Sequence, residues 1–218
     1  MMYGYLASDG YVNKYGNIAI QQSVEKLKFV EWMHAKFKDY RTETTDQSIS
    51  VAKETYSEKT FAKRFFTRCF FKGFRKTWYQ PTGESDEKGD PILKKRLPKN
   101  LAGVFSPYFI AMWFAGDGLK PLDHRGARFE VTDKTPAERI ILKNLFKRIH
   151  NLDVKIVKNG TARNGTAMWA LAVGSAEYSK FRKIVTCIDV VETCFPYKLH
   201  PNAPAPLNKN RRPKSMAI

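Results

Sequence analysis

Ile110-Ala111-Met112-Trp113-Phe114-Ala115-Gly116-Asp117-Gly118 is an apolar run that closes on an acid and a glycine. A run of the same design, Met2-Tyr3-Gly4-Tyr5-Leu6-Ala7-Ser8-Asp9-Gly10, opens the chain. In each, small residues gather near the end and the single charge is the aspartate before the last glycine. Ser106-Pro107 precedes the later run, pairing a capping hydroxyl with proline at the first helical position, so a helix ending at Asp117 is predicted. The opening run predicts a second helix ending at Asp9. Two helices approach closely only where small residues let their backbones meet. Gly4 with Ser8, and Ala111 with Ala115, each share one helix face. Such packing would make the two carboxylates converge.

Outward from these runs, the chain shows one plan twice. After Asp9 come Tyr11-Val12, a turn from Lys14 to Gly16 and the stretch Asn17-Ile-Ala-Ile-Gln-Gln22, a predicted hairpin. A helix follows with Leu27, Val30, Met33 and Phe37 near one face, then a strand at Ile49–Val51. Ser57–Phe74 predicts a basic, aromatic helix in which Phe61, Phe65, Cys69 and Phe70 form a stripe. Residues 81–105 read as a connector, because Pro81, Gly83, Gly89, Pro91 and Pro98 interrupt regular patterns there. The second half continues from Asp117 with a strand at Arg128–Thr132. Thr135-Pro136-Ala137-Glu138 then forms a capping box for a helix carrying Ile141, Leu145 and Ile149 on one stripe. Val154–Lys158 and Thr166–Val173 predict a second hairpin about the glycine-rich turn, and a closing helix spans Ser175–Ile188. The predicted fold class is α+β, a pseudo-symmetric duplication of αββαββα units. Residues 1–80 form one lobe, 106–199 the other, and 200–218 a basic tail.

The charge balance restricts the partner. With 38 Lys+Arg against 21 Asp+Glu the 218-residue chain carries +17, a self-repulsion that a polyanion relieves. Nucleic acid is the leading candidate, since phosphate contacts release condensed counterions. Cys69, Cys187 and Cys194 lack zinc-ligand spacing, and the first two, in apolar surroundings, read as small core residues of a reducing compartment. No stretch reaches the roughly 20 apolar residues that span a bilayer, and no leader pattern opens the chain, so a soluble, intracellular protein without a membrane partner is expected. Asn159-Gly-Thr161 and Asn164-Gly-Thr166 are read as turn residues rather than glycosylation sites.

Together the two Asp-Gly runs and their flanks resemble the LAGLIDADG homing endonucleases, and the second run resembles the Trp-Phe-x-x-Asp-Gly form of single-chain, intron-encoded members. Lys94-Lys95-Arg96-Leu97-Pro98-Lys99-Asn100 is similar to the family's approach to its second helix, and Phe195-Pro196-Tyr197-Lys198-Leu199 to its closing Tyr-Lys-Leu. The resemblance spans Met2 to about Leu199. It implies that the two LAGLIDADG helices form the interface between lobes, beneath a saddle of antiparallel strands that straddles double-stranded DNA. It implies too that Asp9 and Asp117 hold Mg²⁺ (or Mn²⁺), with the carbonyls of Ser8 and Gly116 completing part of the coordination. Physical chemistry agrees, because two adjacent carboxylates repel until a cation bridges them. Lys95 and Lys198 match lysines that polarise the attacking water or stabilise the phosphorane.

On the strands, Asn13, Lys14, Asn17, Gln21 and Gln22 in the first lobe are candidate DNA-reading residues. Arg125, Arg128, Glu130, Lys155, Lys158, Arg163 and Asn164 are those of the second, since Arg and Lys suit guanine edges and Asn and Gln adenine. Unlike lobes imply an asymmetric target cut by a monomer. A mitochondrion or chloroplast of an intron-bearing host is the expected setting, with a phage or bacterial cytoplasm the other. Two further readings keep the fold and change the partner: a maturase that binds intron RNA, and a non-catalytic RNA-binding protein.

Overall fold

In the computed structural model, which describes residues 1–41, 49–54, 57–119 and 126–200, the duplication is visible as two sheets of the same strand order. The first half runs α1 (Met2–Ala7), β1 (Tyr11–Val12), β2 (Ile18–Ser23), α2 (Leu27–Lys36), β3 (Ser50–Glu54), β4 (Ser57–Phe66) and α3 (Lys72–Trp78). A hairpin, β5 (Tyr79–Ser85) and β6 (Pro91–Lys95), leads to the second half. That half runs α4 (Pro107–Asp117), β7 (Gly118–Leu119), β8 (Ala127–Glu130), α5 (Pro136–His150), β9 (Val154–Thr161), β10 (Ala167–Val173), α6 (Ser175–Val185) and α7 (Val190–Cys194). The sheets are ordered β1-β2-β4-β3 and β7-β8-β10-β9, antiparallel throughout. The fold class is α+β.

α4 forms where its cap predicts. Ser106 Oγ accepts from the Phe109 N–H at 3.3 Å, Pro107 occupies the first turn, and every residue from Phe109 to Ala115 is buried. A helix apolar all round belongs at the centre of a molecule. α1 lies beside it with Met2 and Gly4–Ala7 buried, so the two Asp-terminated helices form the middle of the core. Trp113 stands between Phe109, Phe129 and Phe146, and Phe114 between Phe129 and Phe181. The halves are also joined behind these helices, where Trp32 Nε1 donates to Asp189 Oδ1 at 3.0 Å and Phe29 meets Phe195 with centroids 5.2 Å apart. Among the described helices none is long and apolar enough to cross a membrane.

Four expectations are corrected. Residues 57–66 form a strand, not the start of a helix that continues to Phe74. Phe61 and Phe65 are four residues apart, a spacing that a helix face and a strand face both satisfy, and pairing with β2 decides between them. A short 3-10 turn at Cys69–Phe71 follows the strand, and the α-helix begins at Lys72. Cys69, Cys187 and Phe70 are exposed rather than core. On α5 the buried face is Glu138, Arg139, Leu142, Leu145 and Phe146, while Ile141 and Ile149 face solvent. Phe146 turns the helix, because its ring fills the space among Phe105, Trp113 and Phe129. Residues 79–95, read largely as irregular connector, pair as the β5–β6 hairpin, with Pro81 opposite Leu93 and a shift of register beyond it. Both strands are sheet edges, where proline is tolerated.

Glu138 links the hairpin to the second half. The capping box forms, with Glu138 N donating to Thr135 Oγ1 at 3.2 Å and Thr135 N to Glu138 Oε2 at 2.7 Å, while Oε1 accepts from the buried Leu97 N–H at 2.8 Å. Glu138→Ala leaves that N–H without its acceptor, which costs about 1–3 kcal/mol. Thermal melting is expected to fall by about 2–4 °C for each kcal/mol lost.

Candidate active site at the junction of two helices

α1 and α4 meet with no room for a side chain. A Cβ on Gly4 would lie 2.1 Å from the Phe109 carbonyl oxygen and 2.9 Å from Met112 Cβ, and one on Gly116 would lie 2.3 Å from Ser8 Oγ. The small residues Gly4 and Ser8 therefore face α4 as expected. On α4 the nearest groups come from Phe109, Met112 and Gly116, a single row at helical spacing. Ala111 and Ala115, expected in that row, are fully buried on the adjoining one. Contact of Ser8 with Gly116 sets the two following residues, Asp9 and Asp117, side by side. Asp9 Oδ2 is 3.5 Å from where a Cβ on Gly116 would stand.

Asp117 senses its neighbour. Asp117 is pushed up to about 7, by burial first and then by the charge of Asp9. Trp113 Nε1 donates to its Oδ2 at 3.2 Å. Asp9 is exposed, and the buried Gln22 donates to its Oδ2 through Nε2 at 2.6 Å.

Lysines close both helix ends. Lys95 Nζ donates to Ser8 O at 2.8 Å and Gly10 O at 2.7 Å. Lys198 Nζ donates to the carbonyls of Phe114, Ala115 and Gly116 at 3.1, 2.7 and 3.0 Å. Lys134 reaches from the second half to Ala7 O at 3.2 Å, and pairs with Asp133 Oδ2 at 2.5 Å. The last carbonyls of a helix lack intrahelical partners and form the negative end of its dipole, so ammonium groups are well placed there. Burial, with the neighbouring charge of Lys134, lowers Lys95 to about 8. Burial, with that of Lys26, lowers Lys198 to about 7.

This donor set fits a hard divalent cation. Among the described residues no group of three or more His, Cys, Asp and Glu side chains gathers in a metal-binding arrangement. Two carboxylates and nearby main-chain oxygens are the kind of all-oxygen donor set that a hard divalent cation takes. The Ser8 and Gly116 carbonyls each accept from a lysine, and each keeps a second lone pair. Asp117 is raised by burial first and by the like charge of Asp9 second, and a cation beside the two carboxylates would offset both.

The residues expected to read bases are less uniform. Gln22 is turned inward to Asp9 rather than outward. Asn13 Oδ1 accepts from the Tyr15 and Asn17 N–H groups at 2.9 and 3.0 Å, and Asn17 Nδ2 donates to Thr67 O at 2.8 Å, so both stitch the β1–β2 turn, with Lys14 exposed on it. Gln21, Arg128, Glu130 and Lys155 alternate with core residues and occupy the outer sheet faces. Arg128 is held by Asn159 Oδ1 at 3.1 Å and Glu130 by the Thr132 N–H at 3.0 Å. Lys158 stands opposite Trp169, on the helix side of its strand pair. Arg163 and Asn164 are exposed in the β9–β10 turn, and Arg125 lies outside the described residues. Sequence reasoning overlooked Lys26, Lys134 and the inward role of Gln22. A lysine just ahead of the second helix in each half was the available sign for the first two.

The LAGLIDADG DNA endonuclease family matches residues 1–181, a span that holds both Asp-terminated helices. The chain belongs to this family. No curated protein matches it. Among solved structures, the homing endonuclease I-WcaI bound to its DNA recognition sequence is similar at a TM-score of 0.63 and 17% identity, covering 91% of this chain and 84% of that one. WhiA from Thermatoga maritima reaches 0.51 at 12% identity, covering 95% and 61%. I-DmoI, in complex with its target DNA nicked in the coding strand and in the presence of Mn, reaches 0.50 at 12% identity, covering 85% and 93%. At such identities the likeness to these structures is one of fold, and family membership of this LAGLIDADG chain rests on the sequence match.

Proposed function

We propose that this LAGLIDADG chain is a divalent-cation-dependent homing endonuclease that cuts both strands of a long, asymmetric DNA site. The observation that carries this reading is the approach of Asp9 and Asp117 at the α1–α4 junction, one acid from each half. Asp9 and Asp117, with the Ser8 and Gly116 carbonyls, would hold Mg²⁺ or Mn²⁺. Bound there, the cation supplies a Lewis acid for the phosphate and lowers the pKa of a water. Gln22 orients the Asp9 carboxylate. Trp113 orients that of Asp117. Lys95 and Lys198 keep the helix ends in place and bring positive charge to the phosphate. Arg128, Lys155 and Gln21 would meet the major groove from the outer sheet faces. Both acids come from one chain, which supports action as a monomer. An intron-encoded role in an organelle accords with the resemblance.

The test is incubation of the full chain with a long DNA library and Mg²⁺, followed by sequencing of new ends. One rare, reproducible break is expected, absent in chelator. Tight binding of structured intron RNA without any DNA cleavage would overturn the reading. Gln22→Met keeps side-chain length and removes the donor to Asp9. Partners that orient ligands typically cost 10–100-fold when removed, so a loss of about that size in cleavage rate is expected, with folding unchanged by melting.

A further inference from the structure

Across the first sheet Tyr11 stands opposite Ala19, and Ala19 opposite Phe66. Their strand neighbours Val12, Ile18, Ile20 and Phe65 are fully buried, so alternation turns Tyr11, Ala19 and Phe66 to the outer face. Tyr11 is 49% exposed and Phe66 43%. Two aromatic rings thus flank a small residue, on strands about 9–10 Å apart. Both rings are braced. Tyr79 meets Tyr11 edge-on at 5.9 Å, and the Arg64 guanidinium lies 5.4 Å from the Phe66 centroid. The adjacent row sets Gln21 opposite Arg64.

The second sheet provides an internal comparison. Tyr11 follows the glycine of one Asp-Gly pair, and Leu119 follows that of the other. The matching row there is Leu119, Arg128, Ala172 and Lys155, each opposite the next. Strand for strand, Leu119 answers Tyr11, Arg128 answers Ala19 and Ala172 answers Phe66, so the first row presents two rings where the second presents the cations Arg128 and Lys155. In the major groove the thymine 5-methyl is the one apolar group, and Arg or Lys suits guanine O6 and N7. A ring pair around a shallow, apolar slot suits the former. The cationic row suits the latter.

We propose that Tyr11 and Phe66 are specificity-determining residues that recognise thymine methyl groups in one half of the DNA target. The matching Arg128–Lys155 row selects guanine at the corresponding place in the other half. This inference rests on the endonuclease reading and adds to it the base preference of each half-site.

Competitive cleavage by the full chain tests it, with deoxyuridine replacing thymine one position at a time across the identified site. This change removes only the methyl. Burying one methyl is worth about a fourfold preference, so wild-type protein should favour thymine over deoxyuridine about fourfold at one or two positions of a single half-site. Phe66→Ala and Tyr11→Ala should erase that ratio there and nowhere else, while Phe66→Leu keeps it. Arg128→Gln should relax guanine selection in the opposite half. Cleavage with no thymine–deoxyuridine difference, or with a difference these variants leave intact, overturns the inference while the endonuclease reading stands. Variants that lose binding to looped RNA while duplex cleavage stays unchanged would also overturn it, since the rings would then stack on unpaired bases. If the wild-type chain cuts no duplex, the endonuclease reading fails and the inference with it.

Discussion

Asp117→Asn is expected to melt about 4–8 °C above the wild-type chain in chelator at pH 8, and to cut no DNA. Stability and activity should move in opposite directions because the carboxylate is poorly housed without a cation. Burial and the Asp9 charge hold it at about 7 against an ordinary 3.8. An acid raised in the folded state favours folding when protonated and opposes it when ionised, so at pH 8 the wild-type chain bears the whole penalty. Some solvent reaches this carboxylate, and the discounted penalty is about 2 kcal/mol. Melting shifts by about 2–4 °C per kcal/mol in a chain of this size. Asparagine keeps the shape and still accepts from Trp113, but removes the repulsion. The advantage should shrink as pH falls below about 7, where wild-type Asp117 takes up a proton in the folded state. Added Mg²⁺ should raise the wild-type melting temperature and leave the variant nearly unmoved, because a ligand stabilises the state that binds it. A melting series over pH and Mg²⁺, beside a cleavage assay, checks each part. A variant that melts below wild type in chelator would contradict the account.

What could be read from the sequence divides by the range of the forces involved. Ser106-Pro107, the Thr135–Glu138 box and the β9–β10 turn are local devices, satisfied within a few residues, and they form as read. The α1–α4 contact was also legible, because Gly4 and Ser8 are small at helical spacing. Their partners on α4 were not. Phe109 and Met112 face Gly4, and only the mutual rotation of two helices selects that row over Ala111 and Ala115. β4 was mistaken for a helix because its periodicity is ambiguous and its decisive partner, β2, is distant in the chain. The face of α5 was misread for a related reason, since packing of Phe146 against Trp113 and Phe129 outweighs a row of isoleucines. Gln22 looked like a base-reading side chain on an alternating strand. It shares the parity of the buried Ile18 and Ile20, which turns it inward, and there its amide meets the Asp9 carboxylate arriving from α1.

Gly4→Ala should be the most damaging single-methyl change in this molecule. The added Cβ would meet the Phe109 carbonyl oxygen at 2.1 Å. That atom belongs to helix backbone and cannot rotate aside. Overpacking commonly costs about 1–3 kcal/mol, and a rigid obstacle puts this case at the upper end, so melting should drop by about 6–12 °C. Gly73→Ala in α3, where nothing lies within 4 Å, is the control. It should stabilise by about 0.5–1 kcal/mol from backbone entropy alone. Gly116→Ala separates the two causes, because there the nearest atoms are Ser8 Oγ and Cβ at 2.3 and 2.5 Å. Adding Ser8→Gly should recover most of the loss from Gly116→Ala and none of that from Gly4→Ala, a coupling that a double-mutant cycle reads directly. Cleavage should fall further than the unfolded fraction explains. Prising α1 from α4 moves Asp9 relative to Asp117, and a displacement near 1 Å is enough to lose about 100-fold in rate. Equal melting of Gly4→Ala and wild type would mean that the helices are not in this contact, and the convergence of the two acids would lose its cause.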